Sequence, residues 1–403
     1  DAEKCTACAK CAEVCPVPSE NVFDGSLVKR RAAYKLYPQG APNAFAIDKR
    51  GVAPCRDACP AGQRAQGYIA MIAEGRIEEA YRSIKRDNPF PAICGRICNA
   101  RCEVACSRGK VDEPVSIRSL KRYVTDTMMT RERVTPQKAE RLYDEKIAII
   151  GAGPCGLTAA QDLTLAGYEV TVFEALPVAG GMLRVGVPEY RLPVDIIERE
   201  VADIIDLGVE LRLNTPVENL NDLFGDGYKS VLISVGAHEG VRMDLPGNDL
   251  QGVHINTDFL RDVRLWEYDK EALLAAGKSD PAALVHGKRV VVIGGGDVAV
   301  DVARSSMRLG ATSVDMAVRG SSGRMPASDH EIQGAREEGV EMHVGLNFLR
   351  IIDDGQGNVA GLEVEDVTLF ETNDEGRSVA VIKEDSEHII PADVIIFSVG
   401  QKA

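Results

Sequence analysis

The sequence has no long basic run, no long apolar run and, beyond residue 106, almost no cysteine. Lysine and arginine number 47 against 61 aspartates and glutamates, a formal charge of −14, and the cations are scattered. A chain with that balance offers no track for nucleic-acid phosphates. No uninterrupted apolar stretch approaches a membrane span, and the residues before the first motif do not read as a signal peptide. Low-complexity tracts and short-period repeats are absent. What is present is ordinary for a globular chain, 45% hydrophobic and 27% charged. At 403 residues it is too long for one core, so two to four domains are expected. It starts at Asp1, four residues before a cysteine, and is expected to be the middle of a longer polypeptide.

Ten of the eleven cysteines lie in the first 106 residues, and only Cys155 lies beyond. A secreted disulfide framework explains many cysteines in a small domain. It does not explain why they stop just before two nucleotide-binding segments, which belong to cytoplasmic metabolism. Metal-cluster ligation in a reducing, cytoplasmic compartment is the better reading.

Four regions differ in composition. Residues 1–16 form a compact Cys-rich motif, and residues 17–50 a connector (YPQGAPNAF) without helical or strand periodicity. Residues 51–140 read as helical, because AQGYIAMIAEG, IEEAYRSIKRD and SIRSLKRYVTDTMM carry apolar residues at three- and four-residue spacing. From Lys146 strands and helices alternate, the mark of a doubly wound α/β fold. KIAIIGAG, LTAAQDLTLAG and YEVTVFEA read as strand, helix and strand; KRVVVIGGG, DVAVDVARSSMRLGA and SVDMAVR repeat that order. The tail from VAGLEVEDVTLF to VIIFSVG alternates apolar and polar residues and reads as an antiparallel meander.

Cys5-x2-Cys8-x2-Cys11-x3-Cys15-Pro16 is the bacterial ferredoxin spacing for a [4Fe–4S] cluster. In two-cluster ferredoxins the fourth Cys ligates the other cluster, so Cys15 has two possible roles. A zinc knuckle is the competing reading, but zinc sites pair CxxC with a distant CxxC or with histidines. All six histidines lie at or after position 238.

A second group follows: Cys55-x3-Cys59-Pro60, then Cys94-Gly-Arg-Ile-Cys98-x3-Cys102-x3-Cys106. Cysteines four apart on a helix share one face, so Cys98, Cys102 and Cys106 are expected to converge, with a fourth thiolate from the earlier segment. Here, in NPFPAICGRIC (88–98), CEVAC (102–106) and PVSIRSLKRYV (114–124), the chain resembles the family of the glutamate synthase small subunit. The similarity runs to the end of the chain. It implies a helical domain able to hold two [4Fe–4S] clusters, one taking Cys59, Cys98, Cys102 and Cys106. The other would need two earlier cysteines and a late carboxylate or amide, where this chain has Ile47, Arg50 and Lys121. That cluster is expected to be lost, leaving Cys55 and Cys94 as buried structural thiols. The Cys5–Cys15 motif then supplies the second cluster. With KRRAAYKLYPQGAPNAFAID (29–48), it also resembles heterodisulfide reductase-like proteins, which implies a multi-subunit anaerobic complex.

Gly151-Ala-Gly153-Pro154-Cys-Gly156 follows a strand and opens a helix, the context that confirms a dinucleotide fingerprint. Gly151 permits the turn, Gly153 lets a pyrophosphate approach, and Gly156 packs helix on sheet. Glu174 closes the next strand, where a carboxylate binds ribose hydroxyls. The segment VAGGMLRVGVPEYRLP (178–193) resembles the family's flavin-side GGxxxxGxPxxRLP, which assigns Gly180, Gly181, Pro188 and Arg191 to FAD. The second turn, Gly294-Gly-Gly296-Asp297-Val-Ala299, is the nicotinamide site. Asp301, inside its helix, is expected to be a solvated or capping residue. Arg319 ends the next strand, where an arginine accepts the 2′-phosphate of NADP; an ordinary surface residue is the other reading. The family has a second arginine there. This chain has Arg319-Gly320 followed by Arg324-Met-Pro-Ala, which leaves NADH against NADPH open.

The expected architecture is therefore α/β: two doubly wound dinucleotide-binding domains preceded by a helical iron–sulfur domain and a short ferredoxin-like segment. Residues 1–50 form the ferredoxin-like segment and 51–140 the helical domain. The FAD domain takes 141–240, returning at about 395–403 and cut short there, and the NAD(P) domain takes 241–394. FAD, two [4Fe–4S] clusters and NAD(P)H are the expected cofactors, with other redox subunits as partners and neither nucleic acid nor membrane. Hydride passes between the two rings, so no catalytic acid or base is assigned. Residues 145–403 contain only Cys155, which excludes a disulfide reductase with CxxC beside the flavin. Two other functions remain: an electron-transfer scaffold with a vestigial nicotinamide site, and a true glutamate synthase small subunit.

Overall fold

The computed structural model describes residues 5–15, 18–21, 25, 27–35, 44–47, 51–133, 135–320, 325–372 and 378–402. Pro16 and Arg324 fall outside them. The chain divides into two compact units, Asp1–Ala70 with Ala100–Ile117, and Met71–Asn99 with Arg118–Ala403. The boundary runs through one helix and the start of another.

In the first unit the Cys-rich loop carries one turn of helix, α1 (Lys10–Glu13). The connector is not featureless: β1 (Pro18–Glu20) pairs antiparallel with β2 (Lys29–Arg31), and β3 (Ala33–Tyr34) with β4 (Ala46–Ile47). These pairings are two or three residues long, too short for periodicity to show. Next come α2 (Pro54–Asp57), with proline at its first position, and α3 (Ala65–Ala73), which buries Ala65 and Tyr68. The unit also holds α6 (Arg101–Val104).

The second unit contributes α4 (Ile77–Lys85), α5 (Pro91–Ile97) and α7 (Ile117–Met129). The expected single helical face for Cys98, Cys102 and Cys106 is not formed. Cys98 has extended backbone at the end of α5, Ala100 is left-handed (φ 50°), and Cys106 is extended again. The chain turns at each point, so spacing alone does not place these sulfurs on one face.

The first sheet follows: β5 (Lys146–Ile150), α8 (Pro154–Leu165), β6 (Glu169–Phe173), α9 (Met182–Val185), α10 (Val194–Ile205), β7 (Glu210–Arg212), α11 (Leu220–Gly225) and β8 (Tyr228–Ile233). Its order is β7-β6-β5-β8, all parallel. Then come β9 (Glu239–Gly240), β10 (Val253–Ile255), α12 (Asn256–Ala275), α13 (Ala282–Val285), β11 (Arg289–Ile293), α14 (Asp297–Arg308), β12 (Ser313–Val318), α15 (Asp329–Glu337) and β13 (Glu341–Val344). Strand β11 is buried along Val290–Ile293, as a parallel strand covered on both faces must be.

The tail is antiparallel through β14 (Leu346–Asp353), β15 (Val359–Thr372), β16 (Ser378–Ile382) and β17 (His388–Pro391). Its last strand departs from the expected meander. β18 (Val394–Phe397) inserts parallel between β10 and β11, giving the order β10-β18-β11-β12-β13. VIIF is a continuous apolar run, and all four residues are buried, which suits a central parallel strand. Two residues, β19 (Gln401–Lys402), then pair with β9. Among the described residues no helix is long and apolar enough to cross a membrane.

Candidate functional site

The first glycine turn joins β5 to α8. The Gly151 N–H donates to the Phe173 carbonyl at 2.8 Å, and Pro154 occupies the first position of α8. A Cβ on Gly156 would stand 2.0 Å from the Gly151 carbonyl oxygen and 2.6 Å from Ser234 Oγ, so only glycine lets helix and sheet approach. Gly181 has φ 52°, and a Cβ there would reach 2.8 Å from Gly153 Cα. The 180–181 turn thus lies against the first glycine turn, held by the Gly180 N–H on the Ala152 carbonyl at 2.8 Å. Gly153 differs from both: its Cβ position meets only Gly181 Cα, at 3.9 Å, leaving the space a pyrophosphate needs.

Glu174 is 8% exposed and holds two backbone amides, Ala152 N–H at 2.8 Å and Leu176 N–H at 2.9 Å. Each oxygen keeps a further lone pair for a ribose hydroxyl. Gly151, Gly153, Pro154, Glu174 and Gly181 all line one cavity of about 830 Å³. That volume and the helix N-terminus suit the nucleotide part of FAD. Sequence reasoning missed Thr215, His238, Asp258 and Arg261, which line the same cavity. They come from loops and a helix start that carry no motif.

Gly156, Gly180, Pro188 and Arg191 do not line it. Gly156 and Gly180 work underneath, in packing. The Arg191 guanidinium donates to both carboxylate oxygens of Asp301, at 2.7 and 2.6 Å, and pairs with Glu331 at 3.0 Å. Asp301, expected to be solvated or capping, is neither: it lies inside α14, is 4% exposed, and burial pushes its carboxyl up to about 6 against the pull of Arg191. Its helix turns that face inward, toward an arginine 110 residues earlier.

The second turn repeats the first. A Cβ on Gly294 would meet the Ser398 carbonyl oxygen at 2.2 Å, while the Cβ position of Gly296 is open. Ala299 is wholly buried. Asp297 opens α14, and its Oδ1 accepts the Ser328 N–H at 3.0 Å, fixing the start of α15 beside the turn. Arg319 follows β12 and is exposed.

In the first unit, Ala7 and Ala9 adopt φ 55° and 65°. Left-handed alanine costs about 1 kcal/mol each, and it turns amides toward the sulfurs. Backbone N–H groups of Phe45 and Ala7 lower the Cys5 thiol, and those of Lys10, with the Thr6 side chain, lower Cys8. Phe45 N–H lies 3.4 Å from Cys5 Sγ. Cys11 is exposed and Cys15 partly so. Amide hydrogen bonds favour the thiolate, the form of cysteine that ligates an iron–sulfur cluster.

Cys59, Cys102 and Cys106 belong to the same unit. The Val115, Arg108 and Gly109 amides lower Cys106. Cys55 was expected to be a buried structural thiol. It is half-buried, and although desolvation is the main cause of its raised pKa, Cys106 and Cys59 raise it further. Burial raises Tyr68 as well, with the charges of Cys102, Cys59 and Cys55 adding to it. Four sulfurs of this unit therefore share one electrostatic neighbourhood, and Cys55 is among them.

Cys94 on α5 and Cys98 at its C-terminal end lie in the second unit. The Cys98 carbonyl accepts from Arg118 at 2.7 Å. Burial raises Cys94, opposed by its bond to Asn88 and by the nearby Lys121 cation, itself 7% exposed.

Comparison with known proteins gives two family matches. Residues 49–133 match the family described as dihydropyrimidine dehydrogenase domain II, 4Fe-4S cluster. Residues 145–403 match pyridine nucleotide-disulphide oxidoreductase. The glutamate synthase [NADPH] small chain of Escherichia coli is 35% identical, over 86% of this chain and 73% of its own length. The NADP(+)-dependent formate dehydrogenase subunit beta of Moorella thermoacetica is 38% identical over 87% of this chain and 51% of its own. The NADPH-Fe(3+) oxidoreductase subunit beta of Geobacter sulfurreducens is 34% identical over 88% and 52%. The chain thus spans about half the length of two of these relatives. FprA of Mycobacterium tuberculosis, solved with NADPH, shares the fold at TM-score 0.54 and 18% identity, over 64% of this chain and 71% of its own. The chain belongs to the pyridine nucleotide-disulphide oxidoreductase family, and within it to the iron–sulfur flavoproteins related to the glutamate synthase small chain.

Proposed function

We propose that NAD(P)H reduces FAD in this chain, or is formed from reduced FAD, and that iron–sulfur clusters carry the electrons to or from a partner subunit. FAD accepts a hydride and passes single electrons on, which is the chemistry the protein does not supply itself. The chain's own part is placement. Gly151, Gly153, Pro154 and Glu174 hold the flavin nucleotide, while Gly294, Gly296, Asp297 and Ala299 hold the nicotinamide nucleotide. Cys5, Cys8, Cys11 and Cys15 ligate one [4Fe–4S] cluster. Cys59, Cys102 and Cys106 ligate the other, with Cys98 placed in that set by the sequence.

The observation that carries this reading is the repeated strand–turn–helix cradle with an open Cβ position at Gly153 and at Gly296. The three relatives named for NADP(+) or NADPH favour NADPH, with Arg319 as the residue for its 2′-phosphate. Their beta-subunit and small-chain names favour a multi-subunit complex; a bifurcating or heterodisulfide reductase-like assembly in the cytoplasm is its sharpest form. Anaerobic mixing with NADH or NADPH tests the reading: the flavin should bleach with one of them. A flavin that neither reduces favours the scaffold function. Glutamate formation with a large subunit would instead identify a glutamate synthase small chain, a reading supported by the 35% identity to that protein.

A further inference from the structure

Arg191 sits in a loop fastened on both sides. The next residue, Leu192, is wholly buried in the core of the first-sheet half, with Leu157, Ile197 and Ile204. The Arg191 side chain points the other way and grips two helices of the second-sheet half through Asp301 on α14 and Glu331 on α15. Those helices flank the second glycine turn. Asp297, one helical turn before Asp301, accepts the Ser328 N–H at 3.0 Å, and the Ala327 N–H donates to the Gly295 carbonyl at 3.1 Å.

The grip is reinforced. Glu331 also takes Arg304 at 2.9 Å, and Arg304 reaches Glu338 at 2.7 Å. Tyr190, beside Arg191, lies under the guanidinium carbons of Arg304 and Arg308, at 4.6 and 4.0 Å from its ring centre. One loop of the flavin half thus binds the nicotinamide half by a forked ion pair and a stacked ring. A planar guanidinium fixes direction as well as distance. Parting the halves would break the pairing of both Asp301 oxygens, and of Glu331, with Arg191, which favours one arrangement.

We propose that Arg191 is a positioning residue for hydride transfer: through Asp301 and Glu331 it sets the second glycine turn, and so the nicotinamide, at reacting distance from the flavin. The inference rests on the nicotinamide–flavin reading above. A displacement of about 1 Å is enough to slow such a step roughly 10²-fold without weakening binding.

The test is stopped-flow flavin reduction in the full, flavin-loaded chain, comparing wild type with Arg191→Met, Arg191→Lys and Asp301→Asn. The expected result is normal flavin content and an unchanged nucleotide dissociation constant. The reduction rate at saturating nucleotide should fall about 10²-fold in Arg191→Met, and less in Arg191→Lys, which keeps the charge but not the fork. Should Arg191→Met fail to fold, Asp301→Asn, which keeps the volume, decides the matter with the same readout. Loss of flavin from the variants, or reduction at the wild-type rate, overturns the proposal alone. A wild-type flavin that no nicotinamide reduces overturns the functional reading, and this role with it.

Discussion

Glu200 on α10 accepts the Ala92 N–H at 2.8 Å, and its other oxygen takes the Ile93 N–H at 3.1 Å. Helix α5 has no side-chain cap of its own, so a carboxylate from a distant helix satisfies its first amides. Glu200 is wholly buried, and burial pushes its carboxyl up to about 7, against the pull of Lys85 and the two amides. The ordinary value is 4.5, so between 4.5 and about 7 the folded chain holds a proton that the unfolded chain has lost. Stability contributed by this group therefore falls as pH rises through that window and is level above it. Glu200→Gln should flatten that part of the pH–stability curve. At pH 8 it should lower stability by about 1–3 kcal/mol, because one buried amide loses its acceptor. Urea unfolding across pH checks both.

The two glycines of the first turn should separate by substitution. Gly156→Ala places a methyl against the Gly151 carbonyl and should prevent folding of the first-sheet half. Gly153→Ala meets nothing closer than 3.9 Å in the protein, so it should fold and release flavin instead. Circular dichroism and flavin absorbance after gel filtration distinguish the outcomes; equal behaviour would refute the assignment of Gly153 to the pyrophosphate.

Glu174→Gln keeps the shape but sets an amide against one of two backbone N–H groups. Flavin affinity should drop by roughly 10-fold, the scale of one lost hydrogen bond to a charged group. Fluorescence recovery of released FAD measures it.

If Cys5 and Cys102 ligate separate clusters, Cys5→Ser and Cys102→Ser should each remove about half of the chain's iron under oxygen-free preparation, since cubane ligation by thiolate would underlie both. Cys55→Ser is the informative third variant. Its sulfur lies in the field of Cys106 and Cys59, so iron loss there would make it a ligand, and retained iron would leave it structural.

If Arg319 holds a 2′-phosphate, Arg319→Ala should raise KM for NADPH by about 10- to 100-fold and leave KM for NADH unchanged. Steady-state reduction of an artificial acceptor gives both constants. An equal change for the two nucleotides would return Arg319 to the surface.

The sequence exposed what is local. Each glycine turn declares itself through its strand, helix and closing residue, and the Cys5–Cys15 spacing is contained in one loop. It did not expose Asp301, because the residue that buries it arrives from another half of the fold. VIIF was read with the antiparallel tail because alternation and continuity are hard to tell apart in four residues; its parallel partners, β10 and β11, are far upstream. The break at Cys98 and Ala100 was likewise hidden, since cysteine spacing says nothing of backbone angle.

Phe90, just before α5, and Ala92 and Ile93 within it share one apolar core with Leu157, Ile196 and Ile197 beneath the first sheet. A shortened flavoprotein started at residue 141 would lay that seam open to water. Anyone grafting the cysteine-bearing arm of one relative onto the flavin body of another must therefore exchange both lips of the seam together.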